Sequence, residues 1–176
     1  HEEMSFLVGH IPRNKFISNL CLDLQGNTLC LFTLVEKHGK ILLDMIKKKA
    51  EKKRKIFFVY GGVEALDREK IRSIVEKEDN AIIVASYGTF STGINIRNLH
   101  NIVFSSPTKS KIRSLQSIGR GLRIGDNKTE ATLYDIADDL TYNKKKNYTL
   151  EHFSNRINIY NEEDFDYEIH QVELKS

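Results

Sequence analysis

The sequence has few cysteines and no long apolar segment, and these two absences exclude several classes of protein. Only two of its 176 residues are cysteines, Cys21 and Cys30, and both lie inside apolar runs rather than at metal-ligand spacing. A disulfide scaffold needs more cysteines than this. No apolar stretch approaches the roughly 20 residues that cross a bilayer, and no signal peptide opens the sequence. We therefore expect a reduced, cytoplasmic protein without a membrane partner.

The sequence also lacks the loop with which many ATPases hold a triphosphate. It contains no G-x-x-x-x-G-K-[ST] segment, whose backbone would cradle phosphates, and no Asp-Glu pair after a strand to hold Mg²⁺. Asp135 follows an apolar run but has no phosphate loop to serve, so we expect a strand-end or helix-capping carboxylate there. The chain alone is expected not to hydrolyse ATP, and no metal site is predicted within it.

Charge is distributed unevenly along the chain. The net charge is +3, but residues 148–176 carry −5 and the preceding 147 residues carry +8. A basic body with an acidic tail suits a protein that meets a polyanion with one face. A well-solvated surface explains the same pattern, so charge alone leaves both interpretations open.

Short apolar runs alternate with helical patterns, which is typical of a parallel α/β sheet covered on both faces. The predicted strands are Leu29–Thr33, Ile56–Tyr60, Ala81–Ala85, Ile102–Ser105 and Ala131–Ile136. The predicted helices are Pro12–Leu24, Lys40–Lys53, Arg68–Lys77, Ser110–Gly119 and a helix over 150–160, and residues 165–169 alternate in a way that suits an edge strand. The sequence thus predicts one α/β domain with a doubly wound parallel sheet and flanking helices.

Open parallel sheets bind ligands at the carboxyl ends of their strands, and the unusual residues of this sequence follow those ends. The first run ends at Thr33, the second is followed by Gly61 and Gly62, and the third by the loop 86–96, rich in glycine and hydroxyl groups. The hydroxyls of that loop include Thr89, Ser91 and Thr92. Such a loop can donate hydrogen bonds to phosphodiesters, although ordinary turns have the same composition.

Two arginines lie three residues apart in the segment QSIGRGLR, which runs from Gln116 to Arg123. On a helix, Arg120 and Arg123 project from the same side, and Gly119 and Gly121 remove side-chain bulk beside them. Two guanidinium groups on a glycine-flanked turn are well suited to phosphate oxygens. Taken alone, the pair is better explained by two surface arginines that form salt bridges.

Four segments together resemble the motifs of superfamily 2 helicases. QSIGRGLR resembles motif VI, TFSTGINI motif V, NTLCLFT motif IV, and FFVYGG the strand-plus-glycine motif that follows it. Their order and spacing match the C-terminal RecA-like domain of that superfamily from about Asn27 to Asp139. The tail of the sequence, KSKIRSLQSIGRGLR…KTEATLYDIADDL followed by YTLEHFSNRINIYNEEDFDYEI, resembles bacteriophage recombination helicases of the UvsW type.

The resemblance implies a role for each matching residue. Arg123 matches the arginine finger that acts on the γ-phosphate of ATP, and Arg120 matches its partner. The other nucleotide-facing positions are Gln116, Gly119, Gly93 and Asn95, where Asn95 replaces a more usual acid. The implied nucleic-acid contacts are Thr33, Gly61, Gly62, Thr89, Ser91 and Thr92. For Lys109, Lys111 and Arg113, contact with nucleic acid and exposure to solvent both stay open.

The resemblance also implies a domain organisation and partners. Residues 1–26 would lead in from an N-terminal domain, 27–147 would form the C-terminal RecA-like domain, and 148–176 an acidic extension. ATP and Mg²⁺ would be held mainly by the N-terminal RecA-like domain of the same protein. Together the two domains would move along DNA, or an RNA–DNA hybrid, in recombination and repair. For a phage-encoded protein, the compartment would be the cytoplasm of the bacterial host.

Two other functions remain open from the sequence. The chain could be a non-catalytic RecA-like module that binds nucleic acid or protein, or an unrelated α/β nucleotide-binding enzyme such as a small-molecule transferase. A phosphate-loop domain upstream favours the motor over the module. Stabilisation by nucleotide alone favours the enzyme.

Overall fold

Five parallel strands form the centre of the structure, a computed structural model that describes residues 2–89, 96, 98–106, 131–162 and 168–174. The strands are β1 (Thr28–Phe32), β2 (Ile56–Val59), β3 (Ile82–Ser86), β4 (Asn101–Phe104) and β5 (Thr132–Asp135). They pair in the order β2-β3-β1-β4-β5, and every pairing is parallel. Each strand begins and ends within one residue of its predicted run, and the predicted α/β fold is confirmed.

Helices precede, connect and follow the strands. They are α1 (Glu2–Gly9), α2 (Ile11–Asp23), a π-helical turn (Val35–Gly39), α3 (Lys40–Lys49), α4 (Ala65–Val75) and α5 (Tyr148–Glu162). The predicted lead-in helix is α2, which carries a proline in its first turn, where a missing N–H costs nothing. The helix predicted over 40–53 ends at Lys49, and the one predicted to begin at Arg68 begins at Ala65. The helix predicted over 110–119 lies outside the described residues.

Side chains of the central strand β1 point alternately into two apolar layers, one on each face of the sheet. Leu29 and Leu31 pack in the layer that contains Val75 of α4. Cys30 and Phe32 pack on the opposite face in the layer that holds α2 and α3. Burying one such side chain contributes about 1.5–3 kcal/mol. Because both faces are covered, β1 is buried along its whole length, as its continuous apolar run predicts.

Side chain to backbone hydrogen bonds close the edge of the sheet at which the strands begin. The buried Asn27 carboxamide accepts a hydrogen bond from the Ala81 N–H (2.8 Å) and donates to the carbonyls of Glu78 (2.7 Å) and Asn98 (2.8 Å). Arg54 donates to the carbonyl of Leu22 (2.7 Å), near the end of α2. The amino edge is thus tied together by polar contacts that serve the fold.

The two ends of the chain pack differently from each other. Helix α2 contributes Ile17 and Cys21 to the core, so the helix predicted as a lead-in packs against one face of the sheet. Helix α5 buries Ile159 and Tyr160. Residues 168–174 form no strand, and the rest of the segment predicted as an edge strand lies outside the described residues. No helix in the described part of the chain is long and apolar enough to span a membrane.

Candidate functional site

The carboxyl ends of the parallel strands lie along one edge of the sheet. The register pairs Phe32 with Ser86 and Leu31 with Phe104, so the chain leaves β1, β3 and β4 at neighbouring points. This carboxyl edge holds the four predicted nucleic-acid contacts that the structure describes, which are Thr33, Gly61, Gly62 and Thr89. The topology therefore gathers turns that are far apart in the sequence.

Thr33 is held in place through its backbone. Its N–H donates to the Oγ of Ser106, the second residue after β4, at 3.1 Å. The preceding Ser105 donates from its hydroxyl to the carbonyl of Leu31 at 2.5 Å. Thr33 is exposed, whereas Ser105 and Ser106 are buried. Two serines thus fix the end of β1 and leave the Thr33 side chain facing solvent.

His38 continues this hydrogen-bonded chain into the interior. Its Nδ1 lies 2.8 Å from Ser106 Oγ, and its Nε2 lies 3.0 Å from the Oδ1 of Asn14. The Asn14 amide nitrogen donates to the Val8 carbonyl at 2.8 Å, so Oδ1 is the atom that faces the ring. An amide oxygen only accepts, so Nε2 carries the hydrogen and Nδ1 accepts from the serine hydroxyl. The contact with Asn14 therefore defines the tautomer of the neutral imidazole.

Burial, followed by the positive charge of Arg13, lowers the pKa of His38 to about 3. The ring is fully buried within the π-helical turn between β1 and α3. π-helical turns occur frequently at functional sites because they place a side chain where a regular helix would not. Sequence reasoning missed both His38 and Asn14. Neither residue is part of a recognisable motif, and their partners are distant in the chain.

Thr89 lies directly after β3, where residues 87–89 are helical. Its Oγ1 is 2.6 Å from the Oγ of Ser86, its backbone N–H donates to the same oxygen at 3.3 Å, and the residue is 3% exposed. In this conformation the hydroxyl orders the turn and does not face solvent. Tyr87 lies between Ser86 and Thr89 in the sequence, and its hydroxyl donates to the Ser106 carbonyl at 3.1 Å. This contact joins the residues that follow β3 to those that follow β4.

The turn after β2 is open to solvent on its glycine side. The Val63 N–H donates to the Tyr60 carbonyl at 2.9 Å, which places Gly61 and Gly62 at the tip of a β-turn. Both glycines are exposed. A Cβ at Gly61 would meet no atom within 4 Å, so nothing in the described structure keeps a ligand from approaching this backbone.

The carboxyl end of β5 carries a buried ion pair. Asp135 accepts hydrogen bonds from Arg156 of α5 at 2.7 and 2.8 Å and from the Tyr160 hydroxyl at 2.6 Å. Burial would lower the pKa of Arg156, but hydrogen bonding to Asp135 and its negative charge outweigh burial and raise it. Burial, then the charge of Asp135, raises the pKa of Tyr160 well above its usual range. The predicted strand-end role of this carboxylate is confirmed.

A second buried ion pair lies just beyond it. Arg13, which is 1% exposed, donates to the two carboxylate oxygens of Asp138 at 2.7 and 3.0 Å. The pair joins the first turn of α2 to the segment that follows β5. Helices α2 and α5 are therefore each attached to the end of β5 or to the segment after it by an arginine–aspartate pair.

The remaining predicted site residues lie outside the described residues. They are Gly93, Asn95, Ser91, Thr92, Gln116, Gly119, Arg120 and Arg123, together with Lys109, Lys111 and Arg113. Their roles stay predictions. Within the described residues, no group of three or more His, Cys, Asp or Glu side chains is arranged to hold a metal ion.

Comparison with known proteins gives one family match and one relative of high identity. Residues 13–125 match the helicase conserved C-terminal domain. Over 186 aligned positions the chain is 39% identical to the ATP-dependent DNA helicase UvsW of enterobacteria phage T4, with 98% of this chain and 36% of UvsW covered. The crystal structure of T4 UvsW superposes with a TM-score of 0.76 and 40% identity, over 93% of this chain and 35% of that chain.

Solved structures of lower identity share the fold. The C-terminal part of the Fun30 ATPase domain matches with a TM-score of 0.54 at 14% identity, covering 79% of this chain and 48% of that one. The SWI2/SNF2 ATPase core domain of Sulfolobus solfataricus matches with a TM-score of 0.52 at 20% identity, covering 66% and 22%. The resemblance drawn from the motifs is confirmed. The chain spans about a third of the length of UvsW.

Proposed function

Because this chain belongs to the family of helicase conserved C-terminal domains, we propose that it is the second motor domain of an ATP-dependent helicase or translocase. The domain supplies half of the grip on nucleic acid, and its partner is an N-terminal RecA-like domain of the same protein. The observation that carries the proposal is the carboxyl edge, where the turns bearing Thr33, Gly61, Gly62 and Thr89 follow three neighbouring strands.

The substrate of this motor is a phosphodiester backbone. Exposed backbone at Gly61 and Gly62 and the exposed hydroxyl of Thr33 offer hydrogen-bond donors without a base-reading side chain. Such contacts hold any sequence equally well, which a translocating protein requires. The relative named as a DNA helicase supports DNA as the substrate, and branched DNA in recombination and repair, or an RNA–DNA hybrid, fits the same grip. For a phage protein the work takes place in the bacterial cytoplasm.

ATP and Mg²⁺ are held mainly by the N-terminal domain in this proposal. Arg123 acts as the arginine finger on the γ-phosphate, and Arg120 contacts the phosphates beside it. The positions that face the nucleotide are Gln116, Gly119, Gly93 and Asn95. ATP draws the two domains together because the arginines gain their charge-assisted contacts only in the closed state. Hydrolysis removes that attraction, so each cycle of closing and opening moves the strand.

The test is DNA-stimulated phosphate release by the protein that carries this chain together with a phosphate-loop domain. Arg123→Ala should lower the rate by roughly 10³-fold or more, with the affinity for DNA retained. The matched control is Arg72→Ala, which removes a half-buried arginine paired with Glu69 on α4, away from the carboxyl edge. An equal loss of ATPase rate and DNA affinity in Arg123→Ala would contradict the assignment.

The chain by itself provides a second arm of the test. Because the sequence has no phosphate loop, the 176-residue chain should release no phosphate with or without single-stranded DNA. Turnover by the isolated chain that Arg123→Ala abolishes would show that it holds a complete site of its own. The motor would then not need a partner domain.

A further inference from the structure

A turn beyond β5 exposes two aromatic rings beside three lysines. In the segment Leu140–Tyr148, which we name the lysine–tyrosine turn, Tyr142 is 77% exposed and Tyr148 is 72% exposed. The same nine residues contain Lys144, Lys145 and Lys146 and no acidic residue. None of these lysines forms an ion pair with a described residue. Rings this exposed contribute little to the core, so packing does not explain them.

The tip of this turn has a defined backbone conformation. Tyr142 and Lys145 exchange backbone hydrogen bonds of 3.2 and 2.9 Å. Between them, Asn143 and Lys144 have φ angles of 49° and 64°, the conformation of a type I′ turn. The left-handed region is unfavourable for lysine, and such residues persist where the surrounding structure fixes them.

Three sets of side-chain contacts fix the base of the turn. The Asn147 side chain accepts from the Leu140 N–H and donates to the Asp138 carbonyl, each at 2.9 Å, which closes the segment. Glu3 of α1 accepts from the N–H groups of Tyr148 (3.1 Å) and Thr149 (2.7 Å) and so caps α5. The side chain of Asp138 is itself paired with Arg13. The turn is therefore ordered before any partner binds, which reduces the entropy cost of binding.

The lysine–tyrosine turn lies at the carboxyl edge of the sheet. It follows the carboxyl end of β5, and the Arg13–Asp138 pair joins its base to the first turn of α2. The buried His38 network, which fixes Thr33, reaches Asn14 in the same turn of α2. The lysine–tyrosine turn and the Thr33 turn are thus connected through adjacent residues of one helix.

We propose that the lysine–tyrosine turn binds single-stranded nucleic acid, with Tyr142 and Tyr148 stacking on bases and Lys144–Lys146 contacting phosphates. Aromatic rings interleaved with cations are the combination that holds single strands without sequence preference. Lys144, Lys145 and Lys146 give the turn a local positive charge, which attracts a polyanion. This inference rests on the proposed nucleic-acid-binding function and adds an element outside the four motifs.

The experiment measures binding of a fluorescent oligo-dT of about 16 nucleotides to the 176-residue chain at several salt concentrations. Tyr142→Ala and Tyr148→Ala should each weaken binding about 10-fold, since losing one stacked base costs roughly that factor. Tyr142→Phe should keep most of the affinity because it keeps the ring. Replacing Lys144, Lys145 and Lys146 by alanine should lower the slope of log affinity against log salt by about 2.

A matched control removes the same charge elsewhere. Lys47, Lys48 and Lys52 are exposed at the end of α3 and the loop after it. Their replacement by alanine should leave the salt slope within about 0.5 of wild type, since no phosphate contact is proposed there. All replaced residues are exposed, so the melting temperature should not change in any variant.

The outcomes separate this inference from the proposed function. If the tyrosine variants bind like wild type while Thr33→Val binds more weakly, the turn inference is overturned and the motor proposal stands. If binding depends on the tyrosines but the protein that carries a phosphate-loop domain has no DNA-stimulated ATPase activity, the binding role of the turn is supported and the motor proposal is contradicted. Unchanged oligonucleotide affinity, with weaker association between this chain and a phosphate-loop domain, would assign the turn to a protein contact and overturn the inference. A wild-type chain without affinity for the oligonucleotide would overturn it as well.

Discussion

The hydroxyl of Ser106 lies 2.8 Å from the Nδ1 atom of His38 and couples the buried ring to the backbone of Thr33. Ser106 accepts from the Thr33 N–H and donates to His38, which in turn donates from Nε2 to Asn14. Each donor in this series of hydrogen bonds has one acceptor. A proton added to Nδ1 would reverse that contact, so that the serine oxygen accepts from the ring and the serine hydrogen loses its partner.

Stability should fall with decreasing pH because of His38. Its pKa is about 3 in the folded protein against an ordinary value of 6.5, so between these values the unfolded chain binds one more proton. The contribution is fully present above about pH 6.5 and is lost as pH falls towards about pH 3, with a slope approaching 1.4 kcal/mol per pH unit. At about pH 5 the loss is roughly 2 kcal/mol. Urea unfolding at a series of pH values measures it.

The control for this prediction is His38→Gln, which keeps a neutral polar side chain at the position. Other titrating groups are the same in both proteins, so the difference in slope isolates His38. The variant should be less stable than wild type at neutral pH but should lose less stability between pH 6.5 and 5. Parallel pH profiles in the two proteins would show that the ring does not titrate as described.

Ser106→Ala and Thr33→Val should separate a structural role from a contact role. Ser106 is buried and bonds both Thr33 and His38, so its removal leaves buried groups unsatisfied and should cost roughly 1–3 kcal/mol. Thr33 is exposed, and Thr33→Val should change stability by less than about 0.5 kcal/mol. If its hydroxyl contacts a phosphate, affinity for single-stranded DNA should still fall several-fold. Full affinity in Thr33→Val would remove it from the interface.

The sequence predicts the sheet well because a strand buried on both faces leaves a direct pattern of continuous apolar residues. β1 and β3 are of this kind, and their boundaries fall within one residue of the predicted runs. The carboxyl edge then follows from parallel topology, and Thr33 and Gly61 follow the ends of β1 and β2 as the sequence predicts. What these patterns do not contain is the pairing of residues distant in the chain. His38 and Ser106 are 68 residues apart, and neither belongs to a motif.

Thr89 illustrates a second limit of sequence reasoning. A hydroxyl in a glycine-rich loop is equally suited to a ligand and to a neighbouring side chain. The structure shows the bond to Ser86, and the predicted phosphate contact of Thr89 stays a prediction. The lysine–tyrosine turn went unnoticed in the sequence because its defining property is exposure, which composition does not reveal.

Removing Arg156 should destabilise the fold more than removing its neighbour Tyr160. The side chains of Arg156 and Asp135 are 6% and 8% exposed, and Arg156→Met would leave a buried carboxylate without its cation. Breaking such a pair from one side costs about 3–5 kcal/mol. Tyr160→Phe removes one hydrogen bond to the same carboxylate and should cost about 1.5–3 kcal/mol. Urea midpoints in the reverse order would contradict the ion pair as the main anchor of α5.

Gly61→Ala and Gly62→Ala form a pair that tests whether nucleic acid approaches the turn after β2. A Cβ at Gly61 meets no atom within 4 Å, whereas one at Gly62 would lie 2.6 Å from the Tyr60 ring, which must then move. Gly62→Ala should therefore lose about 1 kcal/mol of stability, and Gly61→Ala should lose none through contacts within the chain. A bound backbone close to Gly61 would meet the added methyl group, so Gly61→Ala should weaken DNA binding several-fold at unchanged stability. The two glycines are adjacent, so a bound backbone should be sensitive to both substitutions. A loss of affinity only in Gly62→Ala would be caused by the movement of Tyr60. The turn after β2 would then not contact nucleic acid.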